Sequence, residues 1–383
     1  MESLDLNLRH LRALVAVAKT GTVAAAAIRV AVTQPALTQA IAKLERQLGT
    51  NLFIRRSHGM EATEAMHVLI PRIESALGLI ASPRVTAAQA RALIAVADAG
   101  SYAGASAATG LAQPSLHRSV GDLSVALRKT LVGREGKGIK LTEAGRKSAR
   151  AFRLARAELD AGLAELAALS GRETGRISIG AMPLARARFL PKAVALFHRA
   201  HPEVRFAIVE GSYAELLDPL RDGVLDLLIG ALRDMPEPDL DQRALFDDRP
   251  VVIARAGHPL ASRQATIDAI AAYPWIIAAQ GTPLRQQWQA MFENAGIVAP
   301  GVPIESGSVI AIRQILRDTD FLTLLSRDQV SVEIEAGLVI VLCETPPALR
   351  RTIGVTSRSG WQPTALQRAF LATLGGAVAT RVQ

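Results

Sequence analysis

The 383-residue sequence predicts an α/β multidomain protein: two similar α-rich units in tandem, a long helix, and a C-terminal α/β half. Three observations lead there. Residues 12–65 recur at 91–144 with a fixed shift of 79 and no gap, 20 of 54 positions being identical. The charge divides along the same line: residues 1–171 hold 22 Lys and Arg against 13 Asp and Glu, residues 172–383 hold 22 of each, and the whole excess of +9 lies in front. From Arg176 onward, helical apolar spacing gives way to short β-rich runs alternating with helices.

In LRHLRALVAVAKTG the residues Leu8, Leu11, Leu14, Val15 and Ala18 keep helical spacing, and Gly21 stops the helix as a C-cap. A second short helix follows in VAAAAIRV. Thr33 caps a third, with Gln34 and Pro35 in its first turn, where proline forfeits no backbone hydrogen bond. Leu37, Ile41, Leu44 and Leu48 fall on one face of this helix, and Gln34, Thr38, Gln39 and Lys43 on the other. Such a trio fits a helix-turn-helix whose third helix enters a DNA major groove. LFIRRSHGMEAT then reads as two short strands around a basic turn, a wing whose Arg55, Arg56 and His58 suit phosphate contacts. Any one of these side chains is equally well a solvated surface group; their joint arrangement, on the basic half, points to nucleic acid.

The repeat retains core and turn positions, pairing Leu14 with Leu93, Gly21 with Gly100, Pro35 with Pro114, Leu44 with Leu123 and Gly59 with Gly138. It changes the polar face: Thr38, Gln39 and Lys43 become His117, Arg118 and Asp122, so two DNA-binding copies would read different bases. Gln113, Ser115, His117, Arg118, Arg134 and Lys137 are the second copy's candidates. After the first copy, EATEAMHVLIPRIESALGLIASPRV reads as a helix interrupted by Pro71 and closed by Ser82 and Pro83. After the second, Thr142 to Leu169 runs without proline, and Phe152, Leu159, Leu163 and Leu166 form an apolar stripe. A helix this long needs a partner, either the same helix of a second chain or another part of its own.

The C-terminal half alternates strands (RISIGAM, VRFAIVEG, LLIGAL, RPVVIARA, LVIVLCE, RTIGVTSR) with helices, ending in a helix near 364–379, and predicts a parallel sheet with ligands at the strands' carboxyl ends. No apolar run reaches membrane-spanning length, and the acidic N-terminus does not suit a signal peptide; a cytoplasmic protein with no membrane partner is expected. The lone Cys343 forms no internal disulfide, no His or Cys cluster has metal-ligand spacing, and no cofactor is implied. Gly-x-Ser-x-Gly, Walker and paired-carboxylate motifs are absent, which argues against an enzyme.

AAAAIRVAVTQPALTQAIAKLERQLGTNLFIRR, LTEAGRKSARAF and GRISIGAMPLARARFLPKAVALFHRAHPEVRFAIVEGSYAELLDPLRDGVLDLLIG, in this order, resemble the winged helix-turn-helix, linker helix and effector domain of LysR-type transcriptional regulators. The resemblance covers nearly all of the chain. It implies a regulator binding double-stranded DNA and a small-molecule effector, assembled as a homodimer or homotetramer and able to contact RNA polymerase. The effector domain would resemble type 2 periplasmic binding proteins, two α/β subdomains around a cleft. Division at 1–82, 83–141, 142–171 and 172–383 follows, with subdomain I at about 176–250 and 350–383 and subdomain II at about 251–349. Carried over by position, the effector site takes Ala181, Met182, Pro183, Gly211, Ser212, Gly230, Ala231, Thr282, Arg285, Ser306 and Ser308. Exposed N–H groups and hydroxyls at these turns would suit an organic acid or a sugar-like ligand. FLTLLSRDQVSVE and SRSGWQPTALQRAFL resemble the galactose-binding-protein regulators within the family.

The chain departs from the family pattern in carrying two DNA-binding units. The first has Ala62 and Met66 where Leu and Gly are expected; the second has Glu135 where the first has Arg56, and Ser124 in place of Glu45. Copy one would then read bases while copy two positions the assembly and adds phosphate contacts. The alternative is that one copy is a protein-interaction module.

Overall fold

The computed structural model describes residues 3–57, 59–136, 138–172 and 174–379. The first copy is built from α1 (Leu8–Thr20), α2 (Val23–Arg29), α3 (Gln34–Leu48), the hairpin β1 (Phe53–Arg56) and β2 (Gly59–Ala62), and α4 (Glu64–Ile80). The second repeats the order with α5 (Ala87–Ala99), α6 (Tyr102–Thr109), α7 (Gln113–Leu127), β3 (Val132–Glu135), β4 (Gly138–Leu141) and α8 (Glu143–Leu169). Local chemistry sets the breaks: Gly21 and Gly100 close α1 and α5 at φ 71° and 66°, and Thr22 and Ser101 cap α2 and α6. Thr63 and Thr142 cap α4 and α8 and also donate to the carbonyls of Asn51 and Thr130, tying each wing to the helix that follows.

The copies are unequally made. Thr33 caps α3 through Ala36 N–H, whereas Ala112 at the start of α7 offers no side-chain cap. Gly49 ends α3 at φ 70°, but Arg128 takes the same left-handed conformation, φ 55°, after α7. Glu45 accepts the backbone N–H groups of Leu52 (2.8 Å) and Phe53 (3.3 Å) and so holds the base of the first wing; Ser124 instead donates to Val120 O within its own helix.

One expectation about the long helices changes, and one choice is decided. Pro71 does not interrupt α4, which runs unbroken through it with Leu69, Ile73, Ala76 and Ile80 buried; tertiary packing on α8 compensates the one backbone bond that proline withholds. The stripe on α8 is covered within the chain: Phe152 is 2% and Leu159 3% exposed in a core that extends without a break from Leu4 to Leu166 through both copies. Arg72 of α4 inserts between Glu158 (3.1 Å) and Glu165 (2.9 Å) of α8.

This forms one compact unit, Met1–Gly175 with Arg221–Val224, and the remainder forms a second. The second unit contains a five-stranded sheet in the order β6-β5-β7-β14-β8, from β5 (Gly175–Ala181), β6 (Val204–Glu210), β7 (Leu227–Ala231), β8 (Leu240–Asp248) and β14 (Arg351–Arg358). Helices α9 (Phe189–Ala200), α10 (Tyr213–Arg221) and the terminal α15 (Ala365–Ala379) accompany it. Between β8 and β14 the chain forms a second layer: β9 (Pro250–Arg255), β12 (Thr323–Ser326) and β13 (Val339–Glu344) in the order β12-β9-β13, and the parallel pair β10 (Ile276–Ile277) and β11 (Ile304–Glu305). Helices α11 (Ile267–Ala271), α12 (Pro283–Glu293), α13 (Val309–Asp318) and α14 (Ser331–Glu335) cover it. Parallel pairing is not general, as the sequence had suggested. β5 and β7 are parallel, but β14 runs antiparallel to β7 and β8, and β9 runs antiparallel to β12 and β13. Cys343 lies half-buried on β13, and burial raises its thiol pKa. No described helix is long and apolar enough to cross a membrane, and no metal-holding cluster occurs among the described residues.

Candidate functional site

On α3 the residues Leu37, Ala40, Ile41 and Leu44 are buried, and every polar candidate of the opposite face, Thr33, Gln34, Thr38, Gln39 and Lys43, is exposed together with Pro35. Amphipathic spacing accounts for the division: the same 3.6-residue period that seats the leucines projects the amides outward. Thr38 donates to Gln34 O at 3.0 Å. Beneath the helix, burial first and then the Lys43 charge lower the pKa of His10. A second positive charge is thereby disfavoured under that face.

On α7 Leu116, Val120 and Leu123 face inward while Gln113, Ser115, His117 and Arg118 are exposed. The His117 ring lies 5.2 Å from Tyr102 of α6, tilted by 49°, a contact with no counterpart in the first copy, where Val23 stands at the Tyr102 position. The two outward faces thus share a scaffold and differ in chemistry.

The wings differ in the same manner. Arg55 and Arg56 are exposed on β1, but Arg56 is paired with Glu61 across the hairpin at 2.7 Å. In the second wing the charges are exchanged: Glu135 stands where Arg56 does and pairs at 2.6 Å with Lys140, which stands where Glu61 does. Arg134 is exposed on β3. His58 and Lys137, at the wing tips, lie outside the described residues. Reading runs of basic residues along the chain missed Glu61 and Lys140 because the partner sits on the opposing strand; the two-residue hairpin and its register were the signal that could have found them.

The effector candidates gather into two groups. Ala181 ends β5 and Met182 and Pro183 follow it, Gly211 and Ser212 follow β6, and Gly230 and Ala231 end β7, neighbouring strands of one sheet. Gly211 N–H donates to Ala181 O at 3.4 Å, and Met182 packs so closely on Gly230 that a Cβ there would stand 2.1 Å from its Cε. Thr282 and Ser308 cap α12 and α13, while Arg285 and Ser306 lie beside them in the second layer. Ser306 N–H donates to Ile277 O at 2.9 Å, which ties this group to the end of β10.

Several donors expected to be exposed are already engaged. Met182 N–H donates to Ile229 O at 3.0 Å, and Ser212 gives both its N–H and its hydroxyl to Glu215 at 2.8 Å, bonds that lower the Glu215 pKa. The Thr282 hydroxyl donates to Ala279 O at 2.8 Å, and Ser308 N–H donates to Ser306 Oγ at 3.1 Å. Arg285, on the first turn of α12, is buried. It is 8% exposed, with its guanidinium 4.9 Å over the Trp288 ring and Nη1 3.5 Å from Glu305. Among the described residues its Nε meets no hydrogen-bond partner, so a buried donor is left over in this group.

Two helix-turn-helix copies with exposed polar third helices, joined to an α/β domain with candidate ligand groups at strand ends, define a class of protein: a DNA-binding transcriptional regulator with an effector-binding domain. Family models place it further. The LysR substrate binding domain matches residues 170–379, and the bacterial regulatory helix-turn-helix protein, lysR family, matches twice, at 8–67 and 87–146. The chain belongs to the LysR family of transcriptional regulators.

Among similar proteins, the HTH-type transcriptional regulator GalR of Pseudomonas putida is 32% identical over 368 residues, covering 92% of this chain and 93% of that one. The SDS degradation transcriptional activation protein of a Pseudomonas strain is 32% identical over 281 residues, covering 71% of this chain and 90% of its own length. A full-length OxyR variant from Pseudomonas aeruginosa has a TM-score of 0.55 at 20% identity, covering 76% of this chain and 96% of that chain. CbnR, a LysR family transcriptional regulator, has a TM-score of 0.54 at 18% identity, covering 76% and 98%. These two show the shared fold.

Proposed function

We propose that this regulator reads double-stranded DNA with Thr33, Gln34, Pro35, Thr38, Gln39 and Lys43 of α3 and with Gln113, Ser115, His117 and Arg118 of α7, while Arg55, Arg56 and Arg134 contact phosphates. His58 and Lys137 are proposed for the same phosphate role on sequence position alone. The observation that supports this most is the outward face of α3, where every polar candidate is exposed opposite a buried apolar face. Gel-shift titrations test it. Gln34→Ala with Thr38→Ala in one chain, and His117→Ala with Arg118→Ala in another, each weaken sequence-specific binding about tenfold or more, as loss of good base contacts does. Unchanged affinity and preference in both refutes the assignment.

The domain division proposed is 1–82, 83–141, 142–171 and 172–383, the last split into subdomains at about 176–250 with 350–383 and about 251–349. An acidic effector bound near Arg285, Thr282, Ser306 and Ser308 is favoured over a neutral sugar, because a buried guanidinium with an unused donor gains most from an anion. Thermal shift of the full chain against small carboxylic acids and sugars decides between them, since a ligand confined to the folded state raises its melting temperature. The protein works in the cytoplasm as a homo-oligomer without catalytic activity. Effector binding alters DNA bending and contact with RNA polymerase.

A further inference from the structure

The contacts between the two winged-helix copies are reciprocal. Under the shift of 79, Arg12 of α1 corresponds to Arg91 of α5, and Leu4 corresponds to Pro83. Arg12 donates to the carbonyls of Ser82 (2.8 Å) and Pro83 (3.4 Å), just ahead of the second copy. Arg91 donates to the carbonyl of Leu4 (2.5 Å) and to Asp5 (2.8 Å), just ahead of the first. Each copy thus grips the other's lead-in segment with the same residue at the same position. Residue i meeting j while the counterpart of j meets the counterpart of i is the signature of a two-fold interface, here formed inside one chain. Equivalent helices α4 and α8 pack on each other, Arg72 joins them through Glu158 and Glu165, and Leu6 and its counterpart Val85 are both buried in the common core.

We infer that a single chain is a covalently closed pseudo-dimer of DNA-reading modules, and that it recognises an asymmetric double-stranded site of two unlike half-sites. The inference rests on the proposal that α3 and α7 read bases. A dimer of identical modules matches a site whose halves are inverted repeats, because operator symmetry mirrors protein symmetry. Here the scaffold keeps the pseudo-symmetry while the reading faces break it: Thr38, Gln39 and Lys43 on one side, His117, Arg118 and Asp122 on the other, all exposed. The two halves of the site must therefore differ, and the chain binds it in one orientation. The stripe of α8 is already covered within the chain, so pairing of the copies needs no second molecule.

The test selects binding duplexes from a random-sequence pool with the full-length chain, then maps each half by base-replacement interference. The expected consensus holds two unlike segments for each chain bound, so that a homo-oligomer selects repeats of the whole two-segment unit. Gln34→Ala with Gln39→Ala removes preference in one segment, and His117→Ala with Arg118→Ala removes it in the other, each weakening binding roughly ten- to hundredfold. Exchanging one segment for an inverted copy of the other weakens the parent chain by a similar factor. A consensus that is an inverted repeat of one segment, with α3 substitutions affecting both halves, overturns the one-chain reading while leaving base recognition by α3 intact. Unaltered selection with the α3 substitutions overturns both.

Discussion

Arg72→Met probes the seam between the two copies. Arg72 is 5% exposed, with Glu158 at 3.1 Å and Glu165 at 2.9 Å, and its stem lies on Gly162, whose added Cβ would stand 3.1 Å from Arg72 Cβ. Burial disfavours the guanidinium charge, but hydrogen bonds with Glu165 and Glu158 outweigh it and hold the pKa above its ordinary value. Each pair attracts by about 5 kcal/mol at an effective dielectric of about 20, most of which is offset by desolvating three ions. Substitution leaves two carboxylates, 21% and 19% exposed, without their counter-charge. Removing one partner of a fully buried pair costs about 3–5 kcal/mol; partial exposure lowers this to about 2–4 kcal/mol. Methionine retains most of the stem's packing, so the loss is electrostatic. At about 2–4 °C per kcal/mol, calorimetry of the full chain near neutral pH shows one transition falling by about 5–15 °C. Adding Glu158→Gln and Glu165→Gln restores most of it, because no unpaired charge then remains. A shift below about 2 °C, or no rescue, refutes the buried seam.

Four further outcomes are expected. Glu45→Ala strips two backbone N–H groups of a charged acceptor and destabilises the first unit by about 1.5–3 kcal/mol in urea titration, with weaker DNA binding as the wing loosens. Ala112→Ser supplies the missing cap of α7 and stabilises by about 0.5–1 kcal/mol, and Arg128→Gly adds about 1 kcal/mol by relieving a left-handed residue; neither gain appears if α7 frays in the native state. His258 is held with Nδ1 accepting Leu260 N–H (3.0 Å) and Nε2 donating to Asp320 O (3.2 Å), and burial lowers its pKa below 6.5. Above that pH it is neutral in both states. As pH falls through it, the unfolded chain takes up the proton first, so stability declines on acidification, and the melting temperature of His258→Gln falls less steeply than the parent's between about pH 7 and 5.

Local signals carried much of this far. Gly21 with its counterpart Gly100, the Thr33 cap and the apolar period of α3 placed the helix-turn-helix elements, since caps and amphipathic spacing act within a few residues. Pro71 misled, because a local cost was outweighed by packing on a helix some ninety residues away. The donors at Met182 and Ser212 looked exposed because a sequence does not show which acceptor closes on them.

By itself the sequence determined that there are two copies, that the polar faces of their third helices differ, and that an α/β half follows; periodicity, identity at a fixed shift and charge are properties of the chain order. Only the tertiary structure decided that α4 covers α8 within one chain, that Arg12 and Arg91 exchange equivalent grips, and that Glu61 neutralises Arg56 while Lys140 neutralises Glu135. Those facts depend on which surfaces meet once apolar faces seek burial, and burial is decided by the whole fold at once.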